Sequence, residues 1–89
     1  MDNIKISQPA IKDMEAKGVL NWPIWECEVS EFPWTYSVKE SCYILNGEIE
    51  VTTDVETVSI QPGDFVVFPQ GLSCTWIVKA PVRKHYNFG

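Results

Sequence analysis

The stretch Gly63–Trp76, GDFVVFPQGLSCTW, decides the fold of this 89-residue chain. Its segment FVVF is short and wholly apolar, which is typical of a buried strand. A turn at Gln61–Asp64 precedes the segment, and Pro69 and Gly71 follow it closely, so turn residues bound the strand on both sides. A short apolar strand between two such turns predicts antiparallel β structure.

The same period of two continues over most of the chain. A short strand at Ile4 and Ile6 and a short helix over residues 9–17 are predicted first, and strands follow in WPIWECEV, SCYILNGEIEVTT, TVSI, FVVF, SCTWIVKA and VRKHYNF. The dipeptide Asn46–Gly47 predicts a hairpin turn that divides the second of these segments. About eight short strands separated by turns predict an all-β antiparallel sandwich or barrel.

Composition and charge limit the functions open to the chain. The net charge is −5, and an acidic surface repels phosphate backbones, so we expect no nucleic-acid partner. No apolar run is long enough to span a membrane, and the three cysteines include no CxxC pair. We therefore expect a soluble, cytoplasmic protein with reduced thiols and no membrane partner.

Beyond the strand pattern, the stretch around FVVF resembles the second motif of the cupin superfamily, whose members share the RmlC-like jelly-roll barrel. That motif is G-x5-P-x-G-x2-H-x3-N, and Gly63, Pro69 and Gly71 match it at the right spacing. Cys74 and Val78 stand where the family has histidine and asparagine. The resemblance implies a single antiparallel jelly-roll domain over residues 1–89.

The first cupin motif, G-x5-H-x-H-x3–4-E-x6-G, is matched in its second half by Glu40 and Gly47. With the three-residue gap, Trp34 and Tyr36 occupy the two histidine positions, and Glu28 occupies that of the leading glycine. Of the four metal-ligand positions implied by the resemblance, the chain keeps the glutamate.

The stretch GLSCTWIVKAPVRKHY narrows the resemblance to a branch of very small single-domain cupins. That branch is related to ureidoglycine aminohydrolase and to ethanolamine-utilisation cupins. The likeness extends from Trp22 to Tyr86. It implies the fold and not a particular activity, because one fold hosts many functions.

Glu40 is the sharpest candidate for a catalytic residue. Alternation puts Glu40, Cys42 and Ile44 on one strand face, so a barrel-lining face would carry a carboxylate into an apolar cavity. Buried carboxylates are rare unless they are paired or functional. Tyr36 would hydrogen-bond Glu40 and assist its proton transfer, whereas the alternative is an exposed glutamate at the barrel mouth.

Four more residues are candidates for the same catalytic or ligand-binding site. Cys74 shares a face with Trp76, and it is either a thiolate nucleophile near Glu40 or a small buried hydrophobe. Trp34 and Trp76 would offer stacking walls for a ligand, or would only complete the core of a metal-free barrel. Cys42 is a further ligand-binding candidate.

The final candidate is His85, which lies in the last predicted strand and is the only histidine of the chain. Arg83 and His85 share one strand face, and Lys84 and Tyr86 share the other. The sequence does not indicate which face looks inward. His85 is therefore a candidate for ligand binding that requires its face to line the barrel.

Three functional interpretations follow. The first is a cupin of unassigned activity that binds a small polar or aromatic molecule, with acid–base chemistry by Glu40. The second is a non-catalytic structural or ligand-binding module. The third is a metal-dependent hydrolase like ureidoglycine aminohydrolase, with Glu40, Cys74 and His85 as ligands in a rearranged site.

We predict no bound metal or other cofactor, because the aromatic replacements are poor ligands. An indole nitrogen only donates hydrogen bonds, and a tyrosine must lose its proton before it binds a metal well. Glu40 and Cys74 alone fall short of the three protein ligands of a catalytic zinc site. We also predict a homodimer, since a small barrel has edge strands and the apolar residues near Ile4–Ile6 and in NWPIWE need cover.

Overall fold

A computed structural model describes residues 4–89 of the chain. Within them lie seven strands and one α-helix: β1 (Lys5–Ser7), α1 (Ile11–Ala16), β2 (Ile24–Cys27), β3 (Ser30–Thr35), β4 (Glu40–Thr52), β5 (Thr57–Ile60), β6 (Phe65–Phe68) and β7 (Ser73–Phe88). Every pairing is antiparallel and all strands join one sheet. The predicted all-β, jelly-roll fold is confirmed.

Two long strands, β4 and β7, form the centre of this sheet. They pair over almost their full length, from Glu40 opposite Phe88 to Thr52 opposite Thr75. On its other edge β4 pairs first with β6 and then with β5, while β7 pairs with β3 and then with β2. Because each long strand changes its outer neighbour along its length, the sheet curls around an apolar interior.

The predicted hairpin at Asn46–Gly47 is wrong, because β4 runs through the dipeptide as one strand. Its pairing with β7 shifts register between Ile44 and Ile49, so the segment is a bulge and not a reversal. Gly47 has a φ of 111°, and a Cβ placed there would lie 2.7 Å from the Cα of Val82. The glycine permits this close approach of two strands.

The bulge changes which residues of β4 point inward. Before it, Glu40, Cys42 and Ile44 are buried, as the alternation predicted; after it, Ile49 and Val51 are buried. The inward-pointing positions of β4 therefore change from even to odd residue numbers, because one extra residue in a strand reverses its alternation.

Strand β7 corrects the sequence analysis in a second way, because the two strands predicted on either side of Pro81 are one. The even-numbered residues Cys74, Trp76, Val78, Val82 and Lys84 are buried and Ala80 is half-buried, so the inward phase does not change along the strand. Strand β3, which the sequence analysis did not predict, contains Pro33 and pairs with β7. Proline is tolerated there because β3 is an edge strand.

The helix lies outside the barrel and is shorter than the predicted 9–17. Gly18 adopts a left-handed conformation with φ of 75° directly after it, as expected for a helix C-terminus, and a 3₁₀ turn at Val19–Asn21 follows. Met14 and Val19 pack with Tyr43, a residue of β4 that faces away from the interior. This layer covers the outer face of the sheet. None of the helices between residues 4 and 89 has the length and hydrophobicity required to cross a membrane.

Candidate functional site

The barrel interior holds a cavity of about 230 Å³. It opens beside Trp34 and Phe88, which are both about half exposed. Seven of its nine lining residues are aromatic, and the other two form an acid–base pair: Trp25, Phe32, Trp34, Tyr36, Trp76, Tyr86 and Phe88, with Glu40 and Lys84. An apolar cavity with a few convergent polar groups is the usual form of a small-molecule site.

The polar groups form one connected cluster around the Glu40 carboxylate. The Tyr36 hydroxyl donates a hydrogen bond to Glu40 Oε1 at 2.8 Å, and Lys84 Nζ donates to Oε2 at 2.6 Å. The residues Glu40 and Lys84 are only 3% and 4% exposed, so this is a buried ion pair. The predicted contact between Tyr36 and Glu40 is present.

The register of β4 and β7 explains how Lys84 reaches Glu40. Lys84 pairs with Ile44 and Tyr86 pairs with Cys42, so the Glu40 backbone lies four residues along β4 from the partner of Lys84. The long lysine side chain spans this diagonal on the inner face of the sheet. Cys42 lies beneath it and is fully buried.

Aromatic rings surround the lysine ammonium group. Lys84 Nζ lies 4.9 Å from the ring centroid of Trp25 and 4.5 Å from that of Trp76. The two indoles meet edge to face, with centroids 6.0 Å apart. The negative faces of these rings stabilise the positive charge, which compensates in part for the loss of water around it.

Burial holds the Tyr36 hydroxyl in its neutral form. The pKa of Tyr36 is raised well above its ordinary value, first by burial and then by the negative charge of Glu40 and the hydrogen bond to it. The Tyr36 ring also stacks on Phe68 with centroids 5.0 Å apart, which fixes its orientation. Tyr36 is therefore a rigid hydrogen-bond donor at neutral pH.

The two interior cysteines are protonated thiols. Burial raises the pKa of Cys42 to about 12, with the Lys84 charge acting in the opposite direction. Burial and the Glu40 charge also raise the pKa of Cys74, whose Sγ lies 3.6 Å from the carbonyl oxygen of Trp34. Neither cysteine lines the cavity. Of the two readings of Cys74, this geometry favours the buried hydrophobe over the nucleophile.

The other candidates divide between the two faces of the sheet. Trp34 and Trp76 line the cavity, as expected for stacking walls. His85 lies on the opposite face, where its Nδ1 is 2.8 Å from the carbonyl oxygen of Trp22. His85 was a ligand-binding candidate on the condition that its strand face lines the barrel. That condition is not met, because β7 turns Lys84 inward and His85 outward.

Lys84 is the charged site residue that the sequence analysis did not identify, and it also missed the aromatic lining residues Trp25, Phe32, Tyr86 and Phe88. The available signal was the phase of β7, because continuing the alternation of Cys74, Trp76 and Val78 through Pro81 reaches Lys84. The sequence analysis divided the strand at Pro81, so the alternation was not continued to Lys84. Lysine is also almost never fully buried without a partner, and its partner is 44 residues away in the chain.

The cupin resemblance implies a metal at Glu40, and the residues present do not fit one. Both carboxylate oxygens are engaged, and a cation there would meet the positive charge of Lys84. In the part of the chain that the structure describes, no three His, Cys, Asp or Glu side chains converge as ligands. The cavity lining offers one carboxylate, one ammonium group and seven aromatic side chains, which is not a metal-ligand set.

Comparisons with known proteins agree with the fold. A family model described as a EutQ-like cupin domain matches residues 14–86. A DUF861 family protein from Thermotoga maritima is 50% identical to the chain, with a TM-score of 0.94 over 98% of this chain and 100% of that one. No curated protein matches the chain.

Two EutQ proteins are similar over a smaller part of their length. EutQ of Clostridium difficile is 25% identical, with a TM-score of 0.68 over 73% of this chain and 52% of that one. A putative ethanolamine utilization protein Q from Salmonella typhimurium is 29% identical, with a TM-score of 0.67 over 73% of this chain and 53% of that one. The chain thus spans about half the length of these two proteins.

Proposed function

Because this chain belongs to the EutQ-like cupin family, we propose that it binds a small, largely apolar or aromatic molecule in its barrel and transfers a proton through Glu40. One observation carries the proposal: the Glu40 carboxylate lies on the wall of an aromatic cavity, between the Tyr36 hydroxyl and the Lys84 ammonium group. The two donors fix the orientation of the carboxylate on the wall of a water-poor cavity, and general acid–base catalysis requires such a positioned group.

The cavity also favours this proposal over a barrel that is only structural. A structural barrel would be expected to pack its interior to the density of other protein cores, without a space of about 230 Å³. The charges of Glu40 and Lys84 cancel, and the rest of the lining is aromatic. We therefore propose a ligand that is neutral overall, with a flat apolar body and one polar group directed toward the ion pair.

The proton-transfer step is tested with phenylacetone, a neutral ketone that has exchangeable C–H bonds. In D2O, the wild-type protein will accelerate deuterium incorporation, measured by NMR, and Glu40→Gln will lower that rate about a hundredfold. Glu50→Gln, at a carboxylate outside the cavity, is the matched control and will not change the rate. Binding of the ketone without acceleration would favour the non-catalytic binding module.

We propose that this chemistry needs no metal, because the ammonium group of Lys84 already occupies the place beside the Glu40 carboxylate that a bound cation would need. The proposal disfavours a hydrolase with Glu40, Cys74 and His85 as ligands, since His85 faces away from the other two. Elemental analysis of protein grown with added zinc, iron, nickel and manganese will find no stoichiometric metal. About one equivalent that disappears in Glu40→Gln would contradict this.

We propose further that the protein is a cytoplasmic homodimer. Edge strands β1 and β2 carry Ile6 and Ile24, which are 38% and 41% exposed, and a second copy would cover them. The thiols of Cys27, Cys42 and Cys74 are free, which is usual in a reducing compartment. Light scattering at tens of micromolar will give the dimer mass; a monomer mass would contradict the first part.

A further inference from the structure

The strongest unexplained feature of the cavity is its lysine. Lysine residues usually keep their charged ends in water, but Lys84 is 4% exposed and its Nζ contacts Glu40 and two indole rings. If positive charge were its only role, the pair with Glu40 would cancel it. We propose that Lys84 is a covalent site, whose amine forms an imine with a small aromatic aldehyde or ketone. This inference rests on the ligand-binding cavity proposed above.

The first step is a proton transfer within the ion pair. Glu40 Oε2 is 2.6 Å from Lys84 Nζ, so one proton can pass directly from the ammonium group to the carboxylate. A ligand that fills the cavity displaces water, and loss of water disfavours the separated charges more than the neutral amine and acid. The amine lone pair is then free to attack a carbonyl carbon.

The reaction balances with Glu40 as the only proton carrier. The Nζ lone pair forms the C–N bond, the carbonyl π electrons move to oxygen, and Glu40 delivers its proton there. Glu40 then takes a second proton from Nζ and gives it to the same oxygen. The C–O bond breaks, its electron pair leaves with water, and the nitrogen lone pair completes the C=N bond. Lysine ammonium and carbonyl compound become iminium and water, without an oxidant or reductant.

The surroundings suit the product as well as the reactant. The iminium keeps the single positive charge of Lys84, so the ion pair with Glu40 is restored. The indole faces of Trp25 and Trp76, which already lie 4.9 and 4.5 Å from Nζ, continue to stabilise the cation. Tyr36, whose pKa is raised by burial, keeps its proton and holds Oε1 while Oε2 exchanges protons.

The cavity also limits the carbonyl compound. Its volume of about 230 Å³ accommodates one aromatic ring with a short substituent, and the aromatic lining favours a flat apolar body. Among residues 4–89, the lining contains no cation besides Lys84, so a carboxylated compound would gain no second partner there. The substrate class is therefore a neutral aromatic aldehyde or ketone.

The test is reductive trapping with benzaldehyde and cyanoborohydride, followed by peptide mapping of the wild-type protein. One benzyl group per chain is expected on Lys84, formed about tenfold faster than on exposed Lys79. Glu40→Gln should slow trapping at Lys84 about a hundredfold and leave Lys79 unchanged. Lys84→Arg keeps the charge and loses the adduct; circular dichroism establishes that both variants are folded.

The outcomes separate this inference from the proposed function, because benzaldehyde has no exchangeable C–H next to its carbonyl group. Equal labelling of Lys84 and Lys79, or no label on Lys84, overturns the covalent site. If benzaldehyde still shifts the NMR signals of the cavity tryptophans, only the covalent site fails. If it produces neither a label nor a shift, the proposed ligand site fails with it.

Discussion

Replacing Lys84 by methionine, or Glu40 by leucine, will each lower the free energy of unfolding by about 3–5 kcal/mol. Each change leaves the other charge without its partner at a residue that is 4% exposed or less. Much of the loss is the cost of a buried, uncompensated charge, and not the net strength of the pair. Urea unfolding of wild type and variants measures the difference, with unchanged m values expected.

The double variant Glu40→Leu with Lys84→Met separates these two contributions. It removes both charges, fills their space with apolar atoms, and is expected to lie within about 1–2 kcal/mol of wild type. The exposed Lys79–Glu50 pair is the matched control, and its loss will have a much smaller effect. The prediction would be contradicted if the single variants at Lys84 and Glu40 lowered the free energy of unfolding as little as those of the control pair. That result would show that the cavity charges are solvated.

Gly47→Ala will be the second large loss, on the order of 3 kcal/mol. The φ of 111° at Gly47 strains any residue with a Cβ, and the new methyl group would lie 2.7 Å from a backbone atom of Val82. Backbone in a paired strand cannot rotate away as a side chain can. The bulge between β4 and β7 would have to open.

Gly71→Ala is the control that isolates the contact from the strain. Gly71 also has a positive φ, 87°, but a Cβ there would meet no atom within 4 Å. We expect a loss of about 1 kcal/mol, from the left-handed conformation alone. Thermal unfolding of the two variants measures the contrast, and equal losses would contradict the close approach at Gly47.

The fold was predictable because its signals are local and consistent. FVVF, its flanking turns and the Gly63–Pro69–Gly71 spacing indicated a jelly-roll barrel, and the cupin resemblance is confirmed by the family model. The Asn46–Gly47 hairpin failed because a glycine with positive φ suits a bulge as well as a turn. Only the pairing of β4 with β7 distinguishes the two.

The candidate site was predictable from two signals, strand alternation and the spacing of the first cupin motif. Alternation indicated Glu40 and Trp76, the two histidine positions of the motif indicated Trp34 and Tyr36, and all four residues line the cavity. Lys84 and His85 lie beyond Pro81, where the strand was thought to end, so their phase was open. The ion pair joins residues on separate strands, and that contact is a property of the folded sheet.

The most direct measurement of the central claim is a ¹H–¹⁵N NMR titration of the four tryptophan indole signals with benzyl alcohol. Trp25, Trp34 and Trp76 line the cavity, whereas Trp22 packs outside the barrel against Phe65. A ligand in the barrel is predicted to shift the first three signals saturably and leave Trp22 unchanged. Unchanged signals for the three cavity indoles, or a shift confined to Trp22, would contradict a ligand site inside the barrel.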